Sequence, residues 1–144
     1  MIQFVSLTEN VMNYKESAKT ALKNGCQWFQ LRMDGATDKE IVNVSKSIKQ
    51  LCEEYHAYFI IEDHVHLVKK IKADGVHLNQ KEMSVNKVRQ TLGCRYIISV
   101  NAHNQEEAAH FHQQGADCTN EEKEKLNVFE MKINHDKVYL SHIA

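Results

Sequence analysis

Side chains that could bind phosphate and a metal ion follow short apolar stretches of this sequence. They are Gln30, Arg32, Glu62, Asp63 and Asn79. A guanidinium group binds two phosphate oxygens at once, and carboxylates suit a hard cation. If the apolar stretches are parallel strands, their carboxyl ends meet at one edge of a sheet, where α/β proteins place their chemistry. The spacing therefore predicts that these side chains gather in one polar site.

Strand and helix patterns alternate along residues 1–118 with a period of about 20–30 residues. The predicted strands cover residues 2–7, 26–31, 57–61, 75–78 and 95–100, and a sixth begins at residue 116. Short links between alternating strands and helices predict a parallel sheet with right-handed crossovers. The sequence thus predicts an α/β protein with about five βα units.

The alternation stops in residues 119–144. Residues 119–126 are charged and offer no apolar face, which is typical of solvated surface. Two strand-like runs follow, at 128–133 and 138–143, and residues 134–137 between them predict a β-hairpin with a four-residue loop. We therefore divide the chain into a βα unit, 1–118, and a divergent tail, 119–144.

The composition excludes several functional classes. A net charge of −1 gives no footprint for nucleic acid or an anionic membrane. No apolar run approaches the roughly 20 residues that span a bilayer, and the first residues lack a basic leader. The four cysteines are widely spaced, so they predict reduced thiols rather than a metal or redox centre. We expect a cytoplasmic protein.

Five segments carry a set of motifs in consistent register. They are Gln30-Leu31-Arg32, Ile60-Ile61-Glu62-Asp63, residues 73–82 (ADGVHLNQKE), residues 97–104 (IISVNAHN) and Gly115-Ala116-Asp117. They resemble the motifs Q-x-R, I-I-N-D, A-D-G-V-H-L-G-Q-x-D, I-I-G-V-S-A-H-S and G-A-D of the thiamine phosphate synthase family. This family includes the TenI-type thiazole tautomerases. The resemblance covers residues 1 to about 118.

The resemblance implies a TIM-barrel-like (βα) fold and a transferase of thiamine biosynthesis. Such an enzyme joins hydroxymethylpyrimidine diphosphate to a thiazole phosphate with Mg²⁺ and releases diphosphate. By this resemblance, the diphosphate would contact Gln30, Arg32, Glu62 and Asn101. Asp63 and Glu82 would bind the metal, and His103 lies where the tautomerase branch has its catalytic histidine.

Several positions depart from the family pattern. Asp34 stands where the family has lysine, Glu62 where it has asparagine, Glu82 where it has aspartate, and Asn101 where it has serine. The later T-x-T-K segment and Gly-Gly phosphate loop have no counterpart. A complete barrel needs roughly 200–250 residues. We therefore expect an incomplete barrel of about five βα units plus a C-terminal hairpin. The open edges of such a barrel favour a homo-oligomer.

Three functions remain open at this point. The first is a thiamine phosphate synthase-like transferase acting on phosphorylated pyrimidine and thiazole substrates. The second is a truncated, non-catalytic homologue that binds a phosphorylated ligand or a partner. The third is a TenI-like thiazole tautomerase that uses His103 as general acid or base, since a free imidazole titrates near pH 6.5.

Structural alternatives exist for individual residues. Arg32 could form an ion pair with Asp34 or Asp63 instead of binding phosphate. His103 could belong to the cap of the helix that begins after Asn104, and Trp28 is more typical of a core residue than of a substrate-stacking one. Three further histidines, His64, His66 and His77, do not have the spacing of a protein zinc site.

Overall fold

A computed structural model describes residues 1–5, 14–79, 83–120, 129–134 and 137–142, the last two segments by their backbone alone. Glu82, a predicted metal ligand, lies outside the described residues, as does most of the charged segment. No helix in the described residues is long and apolar enough to cross a membrane.

Strands and helices alternate through residues 2–119, as the sequence predicts. The strands are β1 (Ile2–Val5), β2 (Trp28–Leu31), β3 (Tyr58–Glu62), β4 (Gly75–Leu78), β5 (Ile97–Val100) and β6 (Cys118–Thr119). The helices are α1 (Tyr14–Lys23), α2 (Asp38–Glu54), α3 (Val68–Ile71), α4 (Val85–Leu92) and α5 (Gln105–Gln114). A 3-10 turn, Val65–Leu67, precedes α3, and the tail forms β7 (Phe129–Asn134) and β8 (Lys137–His142).

All eight strands belong to one sheet, in the order β6-β5-β4-β3-β2-β1-β7-β8. The first six pair in parallel with their sequence neighbours, which confirms the predicted βα architecture. β7 adds to the other side of β1, also in parallel, and β8 pairs antiparallel with β7. The predicted hairpin is therefore present, and it covers the edge of β1.

The hairpin is tighter than the sequence pattern suggests. Asn134 pairs with Lys137, so both belong to the strands rather than to a four-residue loop. The connection is reduced to residues 135–136, which lie outside the described residues. The misplaced boundary arose because polar residues at the end of a hairpin can still be part of its ladder.

Side-chain caps fix the starts of three helices. Thr37 and Glu40 form a reciprocal capping box at α2, and Ser84 accepts from the Lys87 N–H at the predicted start of α4. Asn104 likewise accepts from the Glu107 N–H at α5. The spacing of Asn104 and Glu107 predicts a capping box, but the Glu107 carboxylate accepts from the N–H of His103.

In the region between β3 and β4, the spacing of Val65, Val68 and Ile71 predicts one short helix over residues 64–72. The chain instead makes a 3-10 turn and a single α-helical turn. His64 at its start and Lys72 at its end both have left-handed backbone conformations.

The two faces of the sheet differ in chemistry. Toward the helices lies an apolar core that includes Phe4, Phe29, Phe59, Val76 and Ile98. The opposite, inner face carries polar residues in register, and these are also buried: Gln3, Gln30, Glu62, His77 and Ser99. An incomplete barrel predicts an exposed inner face, but these inner-face residues are buried. Polar side chains of neighbouring strands hydrogen-bond to one another across this face.

Aspartates secure the amino ends of two strands. Asp74, just before β4, accepts from the Phe59 N–H through Oδ2 and donates its own N–H to the Phe59 carbonyl. Asp117, before β6, repeats both bonds with Ile98. Asp74 belongs to the 73–82 motif, but it lies at the end of the sheet opposite the predicted site, where it ties β4 to β3.

Candidate functional site

The carboxyl ends of β2 to β5 gather most of the predicted site residues at one edge. Arg32 follows β2, and Glu62 is the last residue of β3, with Asp63 directly after it. Asn79 follows β4, and Asn101 and His103 follow β5. The strands are parallel and adjacent, so these positions share one edge of the sheet.

Gln30 is the centre of a buried hydrogen-bond network on the inner face. It is 2% exposed. Its Oε1 accepts from Gln3 Nε2 at 3.1 Å and from Trp28 Nε1 at 3.3 Å, while its Nε2 donates to Glu62 Oε1 at 3.1 Å. Three strands thus hold the Gln30 amide in one orientation. Trp28 is buried, as expected, and its indole N–H has a polar partner in this network.

Arg32 extends this network to the rim. Its Nε lies 3.2 Å from Glu62 Oε2 and 2.9 Å from Asp34 Oδ2. The two pairs differ because Glu62 is buried whereas Asp34 is exposed. Arg32 is therefore positioned by one buried carboxylate and neutralised further by an exposed one. The ion pair with Asp34, one of the alternatives for Arg32, is present.

The environment of Glu62 shifts its protonation equilibrium. Burial raises the pKa of the Glu62 carboxyl above its ordinary value, and the nearby carboxylates of Asp63 and Asp34 act in the same direction. The Arg32 guanidinium and the Gln30 amide lower the pKa, but they do not cancel the effect of burial. Glu62 consequently carries its negative charge at a cost that Arg32 partly offsets.

Asp63 occupies an unusual backbone position. Its φ of 56° lies in the left-handed region, as does that of His64 at 48°. The Asp63 N–H donates to the His77 carbonyl at 2.8 Å, and its Oδ1 accepts from the Asn79 N–H at 2.9 Å. These bonds fix the Asp63 carboxylate beside the end of β4, although left-handed residues other than glycine are uncommon.

A cleft of about 650 Å³ opens beside these residues. Three carboxylate residues line it, Asp34, Glu62 and Asp63, together with His64 and His66. Carboxylate oxygens in a cleft wall suit a hard cation such as Mg²⁺, whose other ligands are water and substrate phosphate. The donor chemistry of the described residues therefore fits the Mg²⁺ that the sequence predicts.

His103 lies at the same edge but belongs to a different local structure. Its side chain is 81% exposed, and its Nδ1 lies 2.8 Å from Glu107 Oε2, which also accepts from the His103 N–H. β3 and β4 separate β5 from β2, and in the described part of the chain His103 is not joined to the Arg32–Glu62 network. Asn101, also after β5, is half-buried.

Sequence reasoning missed several polar residues of the inner face. Gln3 bonds to Gln30, and His77 Nδ1 lies 2.9 Å from Ser99 Oγ, with both residues buried. The available signal was a single polar residue among apolar ones on β1, β4 and β5, at positions that share a face. Asp38 was missed for another reason, because its proximity to His64 and His66 depends on the packing of α2.

The sequence is similar to a known protein family and to several of its members. The family model described as thiamine monophosphate synthase matches residues 2–120. A thiamine-phosphate synthase of Bacteroides fragilis is 41% identical over 116 residues, which cover 81% of this chain and 57% of the relative. The corresponding protein of Bacteroides thetaiotaomicron is 40% identical, with 56% of its length covered.

The fold is also similar to that of a solved structure. The thiamine phosphate pyrophosphorylase from Pyrococcus furiosus superposes with a TM-score of 0.76 at 27% identity, covering 82% of this chain and 57% of that one. The TIM-barrel-like prediction is thereby confirmed. The chain spans just over half the length of these relatives. From the match over residues 2–120, we conclude that the chain belongs to the thiamine monophosphate synthase family.

Proposed function

We propose that this chain supplies the diphosphate- and metal-binding part of a thiamine-phosphate-synthase-type transferase. The observation that carries this proposal is the Gln30–Glu62–Arg32 network beside the carboxylate-lined cleft. It presents a fixed guanidinium next to oxygen ligands, which is the combination that a magnesium diphosphate requires. The substrates would be a pyrimidine-methyl diphosphate and a thiazole phosphate.

In the proposed reaction, the carbon–oxygen bond between the pyrimidine methylene and the diphosphate breaks. The diphosphate leaves with the electron pair, and the thiazole nitrogen then donates its pair to the methylene carbon. Arg32 would bind the departing oxygens, and its charge would stabilise them as negative charge develops. Gln30 and Glu62, on the buried inner face of the sheet, would hold Arg32 in place. Asn101 would approach the diphosphate from the side of β5.

Mg²⁺ would be held by Asp63 and by Glu82. When bound, it would neutralise part of the diphosphate charge. Of these two residues, the structure describes Asp63. Its Oδ1 accepts from the Asn79 N–H, and the residue lines the cleft. Asp34 opposes the anion, because it adds a negative charge where the family has a lysine. We therefore expect weak diphosphate binding.

A second candidate is a binding protein that takes the same phosphorylated ligand without turnover. The Arg32–Asp34 ion pair favours it, since the arginine that should contact the diphosphate already contacts an exposed carboxylate. Under this proposal, residues 1–118 form the ligand-binding unit. The tail, residues 119–144, is divergent, and its strands β7 and β8 extend the sheet beside β1.

One coupled experiment separates the candidates. The purified chain is incubated with Mg²⁺, pyrimidine diphosphate and thiazole phosphate, and thiamine phosphate formation is measured alongside calorimetric binding of magnesium diphosphate. Turnover that Arg32→Ala abolishes supports the transferase. Binding without turnover supports the second candidate. If the chain neither binds nor turns over, both are rejected. Arg95→Ala, which removes an exposed arginine at the opposite end of the sheet, is the control.

A further inference from the structure

Two histidines that line the cleft, His64 and His66, lie close to an aspartate of α2. Asp38 is the first residue of α2, whereas His64 and His66 belong to the turn after β3. One ligand atom from each of the three lies within 4.8 Å of the others. His66 Nε2 and Asp38 Oδ2 are 2.9 Å apart, and the His64 and His66 rings meet edge to face with centroids 6.0 Å apart.

The backbone supports this convergence from both sides. The capping box of Thr37 fixes the first turn of α2 and hence the place of Asp38. On the other side, Asp63 and His64 are consecutive residues in the left-handed conformation, directly before the 3-10 turn that carries His66. An uncommon conformation at two successive non-glycine positions indicates a segment held in place by its surroundings.

The three donors have the chemistry of a transition-metal site. Imidazole nitrogen together with carboxylate oxygen binds Zn²⁺ and related ions, whereas Mg²⁺ prefers oxygen alone. Ligands of a tetrahedral Zn²⁺ lie about 3.4 Å apart, as follows from metal–ligand distances of about 2.0–2.1 Å. The Asp38 and His66 atoms are closer than that, and all three ligand atoms lie within 4.8 Å, so a bound ion would separate Asp38 from His66 slightly and draw His64 toward them. His64 is half-buried and the other two are exposed, so a fourth ligand could be water.

We propose that Asp38, His64 and His66 form a binding site for a Zn²⁺-class ion, separate from the proposed magnesium site. The two sites share a wall of the cleft, since Asp63 and His64 are neighbours in the chain and both line it. A bound ion would cross-link α2 to the turn after β3. It would also place positive charge beside the carboxylates of the cleft.

Zinc binding to the full chain tests this site directly. Calorimetry with Zn²⁺ alone should detect a site in the wild type that His66→Ala and His64→Ala each weaken by at least about tenfold, since each removes a direct ligand. His110→Ala, which removes an exposed histidine of α5, should leave zinc binding unchanged. Co²⁺ in place of Zn²⁺ should give visible absorption bands of an ion with nitrogen ligands, and these bands should be lost in His66→Ala.

Two further measurements separate this site from the magnesium site. Excess Mg²⁺ should not displace Zn²⁺, and Glu82→Gln should weaken magnesium binding while zinc binding is kept. Circular dichroism without metal checks that each variant is folded. The proposal is overturned if the histidine variants bind Zn²⁺ as the wild type does, if the wild type binds none, or if Mg²⁺ competes on equal terms.

Discussion

The Gln30 amide donates to the Glu62 carboxylate at 3.1 Å, across the boundary between β2 and β3. Both residues are buried, and the other Glu62 oxygen contacts Arg32 at the rim. The Gln30 amide accepts two hydrogen bonds, one from β1 and one from β2, and therefore orients the Glu62 carboxylate. Glu62 in turn orients the Arg32 guanidinium. The rim of the site depends on the interior of the sheet.

This relationship predicts the pH dependence of stability. The folded-state pKa of Glu62 is raised, so the folded state binds a proton more readily than the unfolded chain does. The contribution of Glu62 to the free energy of unfolding consequently decreases as pH rises from 4.5, the ordinary pKa of this carboxyl, through its raised folded-state pKa. Glu62→Gln removes this dependence.

We expect the stability of Glu62→Gln relative to wild type to increase with pH across that interval. Urea unfolding at a series of pH values measures the difference, and Asn86→Ala on the exposed side of α4 reports the pH dependence of the rest of the chain. A relative stability that decreases with pH would contradict the assignment.

The second prediction concerns magnesium diphosphate. Arg32→Ala should weaken binding about ten- to a hundredfold, because a hydrogen bond to a charged group is worth about 1.5–3 kcal/mol. Calorimetry measures this loss against the control Arg95→Ala, which has the same charge change at the opposite end of the sheet. Equal affinity of Arg32→Ala and wild type would remove Arg32 from the site.

Asp34→Asn should change the same affinity in the opposite direction. It releases Arg32 from an exposed ion pair worth about 0.2–1 kcal/mol, so binding should strengthen by up to about fivefold. The same titration tests it, and weaker binding in this variant would show that Asp34 assists the ligand rather than opposing it.

Thiol reactivity should differ sharply among the cysteines. Burial raises the pKa of Cys26 to about 11 and that of Cys52 to about 12, whereas Cys94 is exposed. The thiolate is the reactive form, so a disulfide reagent should modify Cys94 first and Cys26 and Cys52 only on unfolding. Cys94→Ser combined with Cys118→Ser, which removes the half-buried thiol, should remove the fast phase. A fast phase that survives in this double variant would mean that a buried thiol is accessible in the native protein.

Gly75 should not tolerate a side chain. A Cβ at this position would overlap the carbonyl oxygen of Ile97 and lie 2.7 Å from its Cβ, in the paired strand β5. A backbone neighbour cannot move away as a flexible side chain can, so Gly75→Ala should lose about 1–3 kcal/mol of unfolding free energy or more. Urea unfolding, with Asn86→Ala as the near-neutral control, measures it. A neutral Gly75→Ala would mean that β4 and β5 can separate at little cost.

The open ends of the strand order predict self-association. β6 and β8 end the sheet among the described strands, and unpaired strand edges favour association. Light scattering should therefore give a mass above the 16.7 kDa of one chain, in a concentration-dependent manner. A constant monomer mass at all concentrations would overturn this expectation.

The local signals in the sequence were sufficient for the βα rhythm. The serine cap Ser84 and the glycine stop Gly93 bound α4, and the polar strand ends lie at one edge of the sheet. These features depend on neighbouring residues, so composition and spacing reveal them. Placing Glu62 inside β3 was harder, because a carboxylate in a buried strand needs partners from other strands.

Long-range relationships could not be read in the same way. The sequence indicated a hairpin, yet nothing in residues 129–142 specified β1 as its neighbour. Similarly, His64 and His66 showed no zinc spacing because the third donor, Asp38, comes from a helix packed alongside. The experiments above test the predicted roles of Arg32 and Glu82, whereas those of Gln30, Asp63, Asn101 and His103 stay predictions.

The pairing of β1 with β7 has a consequence for synthesis of the chain. β1 is made first, but the strand that covers its outer edge is made after all five βα helices. Closing so long a loop is entropically costly and slow. During translation, β2 to β5 can assemble on β1 while that edge stays bare. A released chain truncated before residue 129 should therefore depend on a chaperone more than the full chain does.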